Sequence, residues 1–404
     1  METRAGRPSL SLLAILLSAV GIAPMLNYGL SATSELIISD LGISEAQFGL
    51  LATVCFGCAA IGNAVFGKFT DRQPDRTLLL VVFGLAAVAM ALAAIPGGYL
   101  MLLVASAVAG IAQSFPNGVT NRVLAQRVPA DDRIGWTGVK QSGVQVSQLV
   151  ASLGFPALAA WIGWHGASLV GAVVAGLLGV VAVKAITSYP VLPTEIRPTQ
   201  KINPGAVAKP ESSTRFVIIA LTVFGFINGM GVQATNVYLP LFAVRELDFS
   251  LVLGGLTAAV AGAIGVSARI GWGKMMSSGV SAPKLLLFLA ALATCGAGAF
   301  LGAGVTGNAV LLWLAVALHG ASALGVSVVL MAALLRSVPA VSMGSATGMV
   351  SAGQFGGFTV GPLAMGALIG SPGGFTAGWI AVALVYLTCV LLGLYLVLRG
   401  RKSA

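Results

Sequence analysis

Charge is what this sequence has least of. Charged side chains make up 8% of the 404 residues, whereas 57% of the residues are hydrophobic. A water-soluble domain carries about 25% charged residues, so this chain has too few of them to cover a surface that faces water. The scarcity excludes a soluble globular protein and predicts an integral membrane protein.

Catalytic and metal-binding motifs are also missing. The four cysteines all lie inside apolar runs, and Cys55 and Cys58 form a single C-x-x-C pair with no second pair and no histidine near it. Small packing residues explain these cysteines better than a metal or redox site, so we expect no cofactor. No G-x-x-x-x-G-K-[ST] loop and no nucleophile with a matching base occur, so we expect neither ATP-driven transport nor an enzyme.

Long apolar runs are what the sequence has in abundance. A helix of about 20 residues crosses a hydrocarbon layer of about 30 Å, because each residue adds about 1.5 Å. Helix is required because unpaired backbone groups are too costly in lipid. We predict an all-α protein with twelve spans, numbered 1 to 12 in chain order, at residues 9–31, 44–67, 77–95, 99–124, 136–160, 166–187, 215–242, 249–272, 283–303, 308–335, 345–369 and 374–398.

The basic residues predict how the chain crosses the membrane. If the N-terminus is cytoplasmic, almost every Lys and Arg in the turns falls on the cytoplasmic side. Arg245 is the exception, and Glu35, Asp40 and Glu45 share its outer side. This positive-inside pattern predicts a multi-pass protein of the plasma or inner membrane, with both termini in the cytoplasm. Topology accounts for the net charge of +10, so we expect a monomer in the lipid bilayer with no nucleic-acid partner.

The chain divides into two similar halves. Residues 188–214 contain five prolines with charges and serines, which predicts a cytoplasmic linker. Phe66-Gly67-Lys68 ends span 2, and Trp272-Gly273-Lys274 ends span 8, 206 positions later. Such echoes favour a parallel repeat of two six-helix bundles, residues 1–187 and residues 215–404.

The turn after span 2 carries a recognisable signature. It reads GKFTDRQPDR, and it matches the pattern G-x-x-x-D-R-x-x-x-R of the major facilitator superfamily at Gly67, Asp71, Arg72 and Arg76. Pro74 and Asp75 depart from the pattern, because a glycine and a basic residue are usual there. The resemblance covers the whole chain and implies two bundles around a central substrate cavity, with secondary active transport by alternating access. The four matching residues would then form a conformational latch; a plain positive-inside turn is the alternative.

Ionisable residues inside the spans are all basic or potentially basic. They are Arg269, Lys140 and His319, and no acidic residue lies away from the ends of a span. A charge in the middle of a span costs at least about 2.5–3.5 kcal/mol on insertion scales, so a function is expected. The planar fork of Arg269 suits a carboxylate. The alternative is a structural or snorkelling arginine paired with backbone carbonyls.

Two segments resemble those of small-anion carriers within the superfamily. ARIGWGK, which contains Arg269, resembles span 8 of monocarboxylate and oxalate carriers, and GVKQSGV, which contains Lys140, resembles a segment of cyanate-permease-like carriers. The resemblance implies transport of a small organic anion such as a monocarboxylate. Lys140 would assist Arg269, or alternatively would snorkel to the interface.

The coupling of transport has several interpretations. His319 would carry a proton for symport, the substrate would carry it, or a counter-anion would be exchanged. A neutral, hydrogen-bonded histidine is the alternative for His319. The second function that we consider is proton-coupled efflux of a hydrophobic drug or neutral metabolite, which the glycine-rich, weakly polar spans favour and the missing membrane carboxylate weakens.

Neutral polar side chains complete the predicted cavity. Spans 1, 4, 7 and 10 line the cavity in this superfamily, and the first three carry amides in this chain. The further substrate-binding candidates are Asn27, Tyr28, Gln113, Asn117, Gln141, Gln145, Asn228, Gln233, Asn236 and Gln354. The alternative is hydrogen bonding between helices, worth about 0.6 kcal/mol per bond.

Overall fold

A computed structural model describes residues 10–66, 70, 72–129, 133–189, 212–338 and 343–402. The described residues are helical almost throughout, which confirms the all-α prediction. The helices of the first half are α1 (Leu10–Gly21), α2 (Met25–Ala32), α3 (Ser34–Leu41), α4 (Glu45–Val65), α5 (Asp75–Ala94), α6 (Gly98–Ala112), α7 (Pro116–Arg127), α8 (Arg133–Gln141) and α9 (Gly143–Ala185). Those of the second half are α10 (Ser212–Leu247), α11 (Leu251–Ser277), α12 (Ala282–Thr306), α13 (Ala309–Ala321), α14 (Val326–Ser337), α15 (Met343–Ile369) and α16 (Gly374–Lys402).

Every predicted span has a helical counterpart. In the described part of the chain, nine helices are long and apolar enough to span a membrane, or ten if α1 and α2 form one span bent by 60°. The longest, at residues 136–188, contains predicted spans 5 and 6. Helix α15, with 27 residues, corresponds to span 11. Most of the predicted linker lies outside the described residues.

Local sequence explains where helices begin. The Ser44 hydroxyl accepts a hydrogen bond from the backbone of Gln47 at 3.2 Å, and the Gln47 amide oxygen accepts one from the Ser44 backbone at 2.8 Å. This capping box satisfies backbone donors that the first turn of α4 leaves unpaired. Ser250 begins α11 in a similar way, because its hydroxyl accepts from the backbone of Leu253 at 3.3 Å.

Several spans are broken where the sequence predicts continuous helices. Span 4 divides into α6 and α7, and Pro116 stands in the first turn of α7. Span 10 divides into α13 and α14 around a short 3₁₀ turn at Ala323–Gly325. Spans 4 and 10 are equivalent in the predicted repeat, so the break recurs in both halves. Proline favours such a break because it lacks a backbone donor.

Spans 5 and 6 join at a sharp turn inside the short loop that the sequence predicts around His165. The 43 residues of α9 comprise two helices that meet at a kink. The only non-helical residue inside α9 is Gly163, with φ 72° and ψ 168°. One glycine therefore turns the chain, because glycine adopts positive φ without a steric penalty.

The two halves pack against each other along two helix pairs. In the first pair, the Thr53 hydroxyl of α4 donates to the Thr359 carbonyl of α15 at 2.7 Å, and the rings of Phe56 and Phe358 lie 5.3 Å apart. In the second pair, α9 packs on α11 so closely that a Cβ on Gly255 would overlap the Ser152 carbonyl oxygen. Small residues permit such close approach of helices in membranes.

We predict that Gly255→Ala destabilises the protein by roughly 1–3 kcal/mol, because the added methyl group overpacks the contact between α9 and α11. Thermal unfolding in detergent measures the change. Gly271→Ala is the matched control in the same helix, since a Cβ there meets nothing within 4 Å. Equal melting temperatures for the two variants would contradict the close contact.

Candidate functional site

Lys140 lies at the end of α8 and is fully buried. Its Nζ donates to the Thr120 hydroxyl oxygen at 2.7 Å and to the side-chain oxygen of Asn121, both in α7. Both acceptors are neutral. The side chain therefore does not snorkel to the interface, and no acid among the described residues pairs with it.

Arg269 lies in α11 and joins the two halves. Its Nε donates to the Leu324 carbonyl at 3.0 Å, and its Nη1 donates to the Gln141 carbonyl of the first half at 3.2 Å. These bonds leave Nη2 without a protein partner in the described part of the chain. Pairing with backbone carbonyls, the structural alternative, thus accounts for two of the three guanidinium nitrogens.

Gln141 links Lys140 to Arg269. Arg269 bonds the carbonyl of Gln141, which directly follows Lys140, and the Gln141 amide donates to the Asn117 side chain at 3.1 Å. Tyr28 is 5% exposed and interacts electrostatically with Arg269. We call the set Lys140, Arg269, Gln141, Asn117, Thr120, Asn121 and Tyr28 the cation group.

A second cluster centres on Asn236 in α10. Its side-chain oxygen accepts from the Gln148 amide of the first half at 3.3 Å and lies 3.1 Å from His319 Nε2. Its own amide donates to Gln233 at 3.0 Å. Because the Asn236 oxygen can only accept, His319 Nε2 carries a proton in this arrangement. Gln148, Gln233, Asn236 and His319 form what we call the amide network.

Three predicted residues make their recorded contacts outside both clusters. The Gln113 amide contacts the Cys55 sulfur at 3.1 Å, and the Asn228 amide donates to the Ala323 carbonyl at 3.3 Å. Gln354 packs against α10. These contacts match the alternative in which amides hold helices together.

Some buried polar atoms have no hydrogen-bond partner within the part of the chain that the structure describes. They include the Asn27 amide nitrogen and the side-chain oxygens of Gln145 and Gln148. Buried polar groups are nearly always satisfied in native proteins. Unpaired atoms of this kind therefore suit a position where a polar ligand or water binds.

The predicted latch is only partly within the described residues. Gly67 and Asp71 lie outside them, and Arg72 and Arg76 are exposed. They line a cleft of about 600 Å³. The described acid of this turn is Asp75, which accepts from Arg122 Nε at 2.7 Å and from Arg127 Nη2 at 3.0 Å. We call this the basic end; its ion pairs stay within the first half.

The opposite, acidic end holds ion pairs that cross the halves. Arg245 of α10 contacts Glu35 at 2.5 Å and Glu45 at 2.6 Å. The Tyr238 hydroxyl also donates to the Glu45 carbonyl at 2.6 Å. The acidic end is therefore closed between the halves. The sequence shows Arg245 beside Glu246 and Asp248, whereas its partners are about 200 positions away, so sequence reasoning missed this contact.

Known proteins agree with this architecture. The family model described as Major Facilitator Superfamily matches residues 16–350. The chain belongs to the major facilitator superfamily. A structure of a bacterial homologue of the human lysosomal transporter Spinster, in an inward-facing and occupied conformation, has a TM-score of 0.74 and 14% identity over 96% of both chains. At this identity the likeness shows the superfamily fold alone.

Two relatives in sequence are transporters. A putative metabolite transport protein of Haemophilus influenzae is 30% identical over 247 residues, which cover 58% of each protein. The match thus spans less than two thirds of that relative. A probable nitrate/nitrite transporter, NarK2, of Mycobacterium tuberculosis is 28% identical over 343 residues, 81% of each protein. Family and fold identify a multi-pass membrane transporter of small molecules and confirm that the chain is not an enzyme.

We predict that Asp75→Asn lowers the stability of the protein by roughly 2–4 kcal/mol, because it leaves Arg122 and Arg127 without their acid. Thermal unfolding in detergent measures the loss. Arg76→Gln removes a neighbouring exposed charge that has no acid partner in the described residues, so it should leave the melting temperature almost unchanged. A loss as large in Arg76→Gln would count against the special role of Asp75.

We predict that Arg245→Gln opens the acidic end more often. The two ion pairs are partly exposed and contribute roughly 0.2–1 kcal/mol each, so the open fraction should rise a few-fold. Spin labels at Gly42→Cys and Ser371→Cys, in a background without the native cysteines, report the distance between the halves. Glu246→Gln is the control, and an unchanged distance distribution in Arg245→Gln would show that these pairs do not hold the end closed.

Proposed function

We propose that this protein is a secondary transporter of a small planar oxyanion, with a monocarboxylate as the first candidate. The observation that carries the proposal is the cation group: Arg269 bonds the carbonyl of Gln141, the residue after Lys140, and neither basic side chain pairs with a carboxylate among the described residues. Among the described residues, ion pairs engage only the acids Asp75, Glu35 and Glu45. The positive charge of Arg269 between the halves is therefore available to bind a negatively charged ligand.

The geometry of Arg269 favours a planar anion. A guanidinium group matches the two oxygens of a carboxylate with parallel N–H donors. Nη2, which has no hydrogen-bond partner among the described residues, can donate to one oxygen, and Nη1 can release the Gln141 carbonyl for the other. Tyr28, Asn117 and the unpartnered Asn27 amide nitrogen can supply further donors.

Alternating access follows from where the contacts between halves lie. The acidic end is closed by Arg245, while Arg269 and the Gln148–Asn236 bond connect the halves elsewhere. Opening the acidic end requires the Arg245 contacts to break. Coupling to a proton through His319, through the substrate, or to a counter-anion stays a prediction at this point.

Nitrate or nitrite is the second candidate substrate. The relative from Mycobacterium tuberculosis, a probable nitrate/nitrite transporter, matches 81% of this chain. Nitrate shares with a carboxylate the planar arrangement of oxygens that an arginine recognises. Efflux of a hydrophobic drug or neutral metabolite fits less well, because a neutral or cationic ligand leaves the charge of Arg269 without a counter-ion.

We predict that Arg269→Ala lowers anion uptake by about 10- to 100-fold, the loss expected for one charge-assisted hydrogen-bonded contact. Arg269→Lys keeps the charge but loses the planar fork, so it should retain part of the activity. The measurement is uptake of lactate, nitrate and a cationic dye into vesicles that contain the purified protein.

Arg336→Lys is the matched control, because Arg336 also donates to a backbone carbonyl, that of Val280 at 2.8 Å, but is exposed. Its anion uptake should equal that of the wild type. Unchanged anion uptake in both Arg269 variants would contradict the role of Arg269 in anion binding. Movement of the dye without either anion would favour drug efflux instead.

A further inference from the structure

We propose that Lys140 takes up and releases the proton that is coupled to anion transport. This inference rests on the proposed function and names the coupling group of the same site. It departs from the sequence-based expectation that His319 carries the proton. The step is a protonation of the Lys140 amine by water on one side of the membrane and its reversal on the other.

The hydrogen bonds of Lys140 fit a neutral amine better than an ammonium. An amine has two N–H donors, and the two acceptors present, on Thr120 and Asn121, satisfy both. The Thr120 hydroxyl donates its own proton to the Pro116 carbonyl at 2.6 Å, so it can only accept a hydrogen bond from Lys140. An ammonium has a third N–H, for which the described residues provide no acceptor.

The electrostatic surroundings of Lys140 also favour the neutral form when no anion is bound. Helices α1, α7, α9 and α11 pack against α8, and none of the five contains an acidic residue. The charged or titratable residues of these helices, together with Tyr28 of α2, are Arg122, Arg127, Arg133, His165, Lys184, Arg269 and Lys274. The acid bonded to Arg122 and Arg127 is Asp75, which those two arginines already neutralise.

A bound anion instead favours the ammonium form of Lys140. Its negative charge, held by Arg269 on the other side of Gln141, stabilises the ammonium form and offers the missing acceptor, directly or through water. One proton then enters with each monovalent anion, and the pair carries no net charge. When the anion leaves on the far side, Lys140 loses its stabilising charge and releases the proton there.

His319 is not connected to the cation group in this way. Its Nε2 is committed as donor to Asn236, which also holds Gln148, and none of its recorded hydrogen bonds reaches the cation group. A neutral histidine satisfies that arrangement. Lysine also changes its protonation readily when buried, which suits an exchange of protons with the substrate.

The test uses purified protein in vesicles with a pH gradient of one unit, and nitrate and lactate as probes. Nitrate stays fully ionised, so it cannot carry the proton itself, and protein-free vesicles correct for the leak of lactic acid. One proton per anion predicts about tenfold accumulation in the wild type for one pH unit. His319→Gln, which can still donate to Asn236, should accumulate the anion equally.

Lys140→Arg fixes the charge and Lys140→Met removes it, so both should reduce the accumulation ratio to about one. Lys140→Arg should still exchange labelled for unlabelled anion, because exchange needs no net proton movement. Proton-driven accumulation at the wild-type ratio in Lys140→Arg, or its loss in His319→Gln, overturns the inference.

A binding measurement covers the case in which both Lys140 variants fail to fold. Nitrate or lactate is added to wild-type protein in weakly buffered detergent, and the protons taken up per bound anion are counted. We expect up to one proton, with the same value in His319→Gln; anion binding without proton uptake overturns the inference. A wild type that neither binds nor moves either anion overturns the proposed function itself, and this inference with it.

Discussion

The structure depends on how a nearly acid-free interior holds two basic side chains. Away from water, an unpaired charge is strongly destabilising, and the usual remedy is a carboxylate on a neighbouring helix. This chain instead surrounds Lys140 with two neutral oxygens and Arg269 with two backbone carbonyls. Such acceptors lower the cost of the charges without cancelling them. The remaining positive potential attracts an anion that enters from water.

The arrangement of ion pairs separates stability from motion. At the basic end, Asp75 binds two arginines of the same half, so these contacts can persist while the halves rotate. At the acidic end, Arg245 binds two glutamates of the other half, so these contacts must break when that end opens. Buried ion pairs within a half cost more to lose than partly exposed pairs between halves. The strong pairs therefore stabilise the first bundle, and the weak pairs stabilise one conformation.

Much of the fold could be predicted because membrane burial imposes a simple period and length. Each predicted apolar run corresponds to a helix of the structure, and a single turn signature led to the superfamily. Breaks within spans were harder, since one residue such as Gly163 can turn the chain without a polar loop. Long-range pairs were not predictable: Arg245 has acidic neighbours in sequence, and nothing local shows that it binds Glu35 and Glu45 instead.

For the candidate site, the sequence identified the charges but not their partners. Gln141, Gln145 and Gln148 lie close together in sequence, yet their side chains make different contacts. Gln148 bonds across to Asn236, whereas Gln141 bonds Asn117 within its own half. Thr120 matters because of its hydroxyl geometry beside Lys140. These distinctions depend on where helices are broken and how closely they pack, which composition does not specify.

The position of Arg269 ties anion binding to the movement of the halves. It belongs to the second half, but its Nη1 bonds a first-half carbonyl, that of Gln141. An anion that takes this nitrogen replaces a direct bond between the halves with a bond to a mobile ligand. The free energy of that exchange depends on the charge of the neighbouring Lys140, because a neutral amine attracts the anion less. The Arg269 guanidinium, the Gln141 carbonyl and the Lys140 amine thus together determine anion binding, protonation and the strength of this contact between the halves.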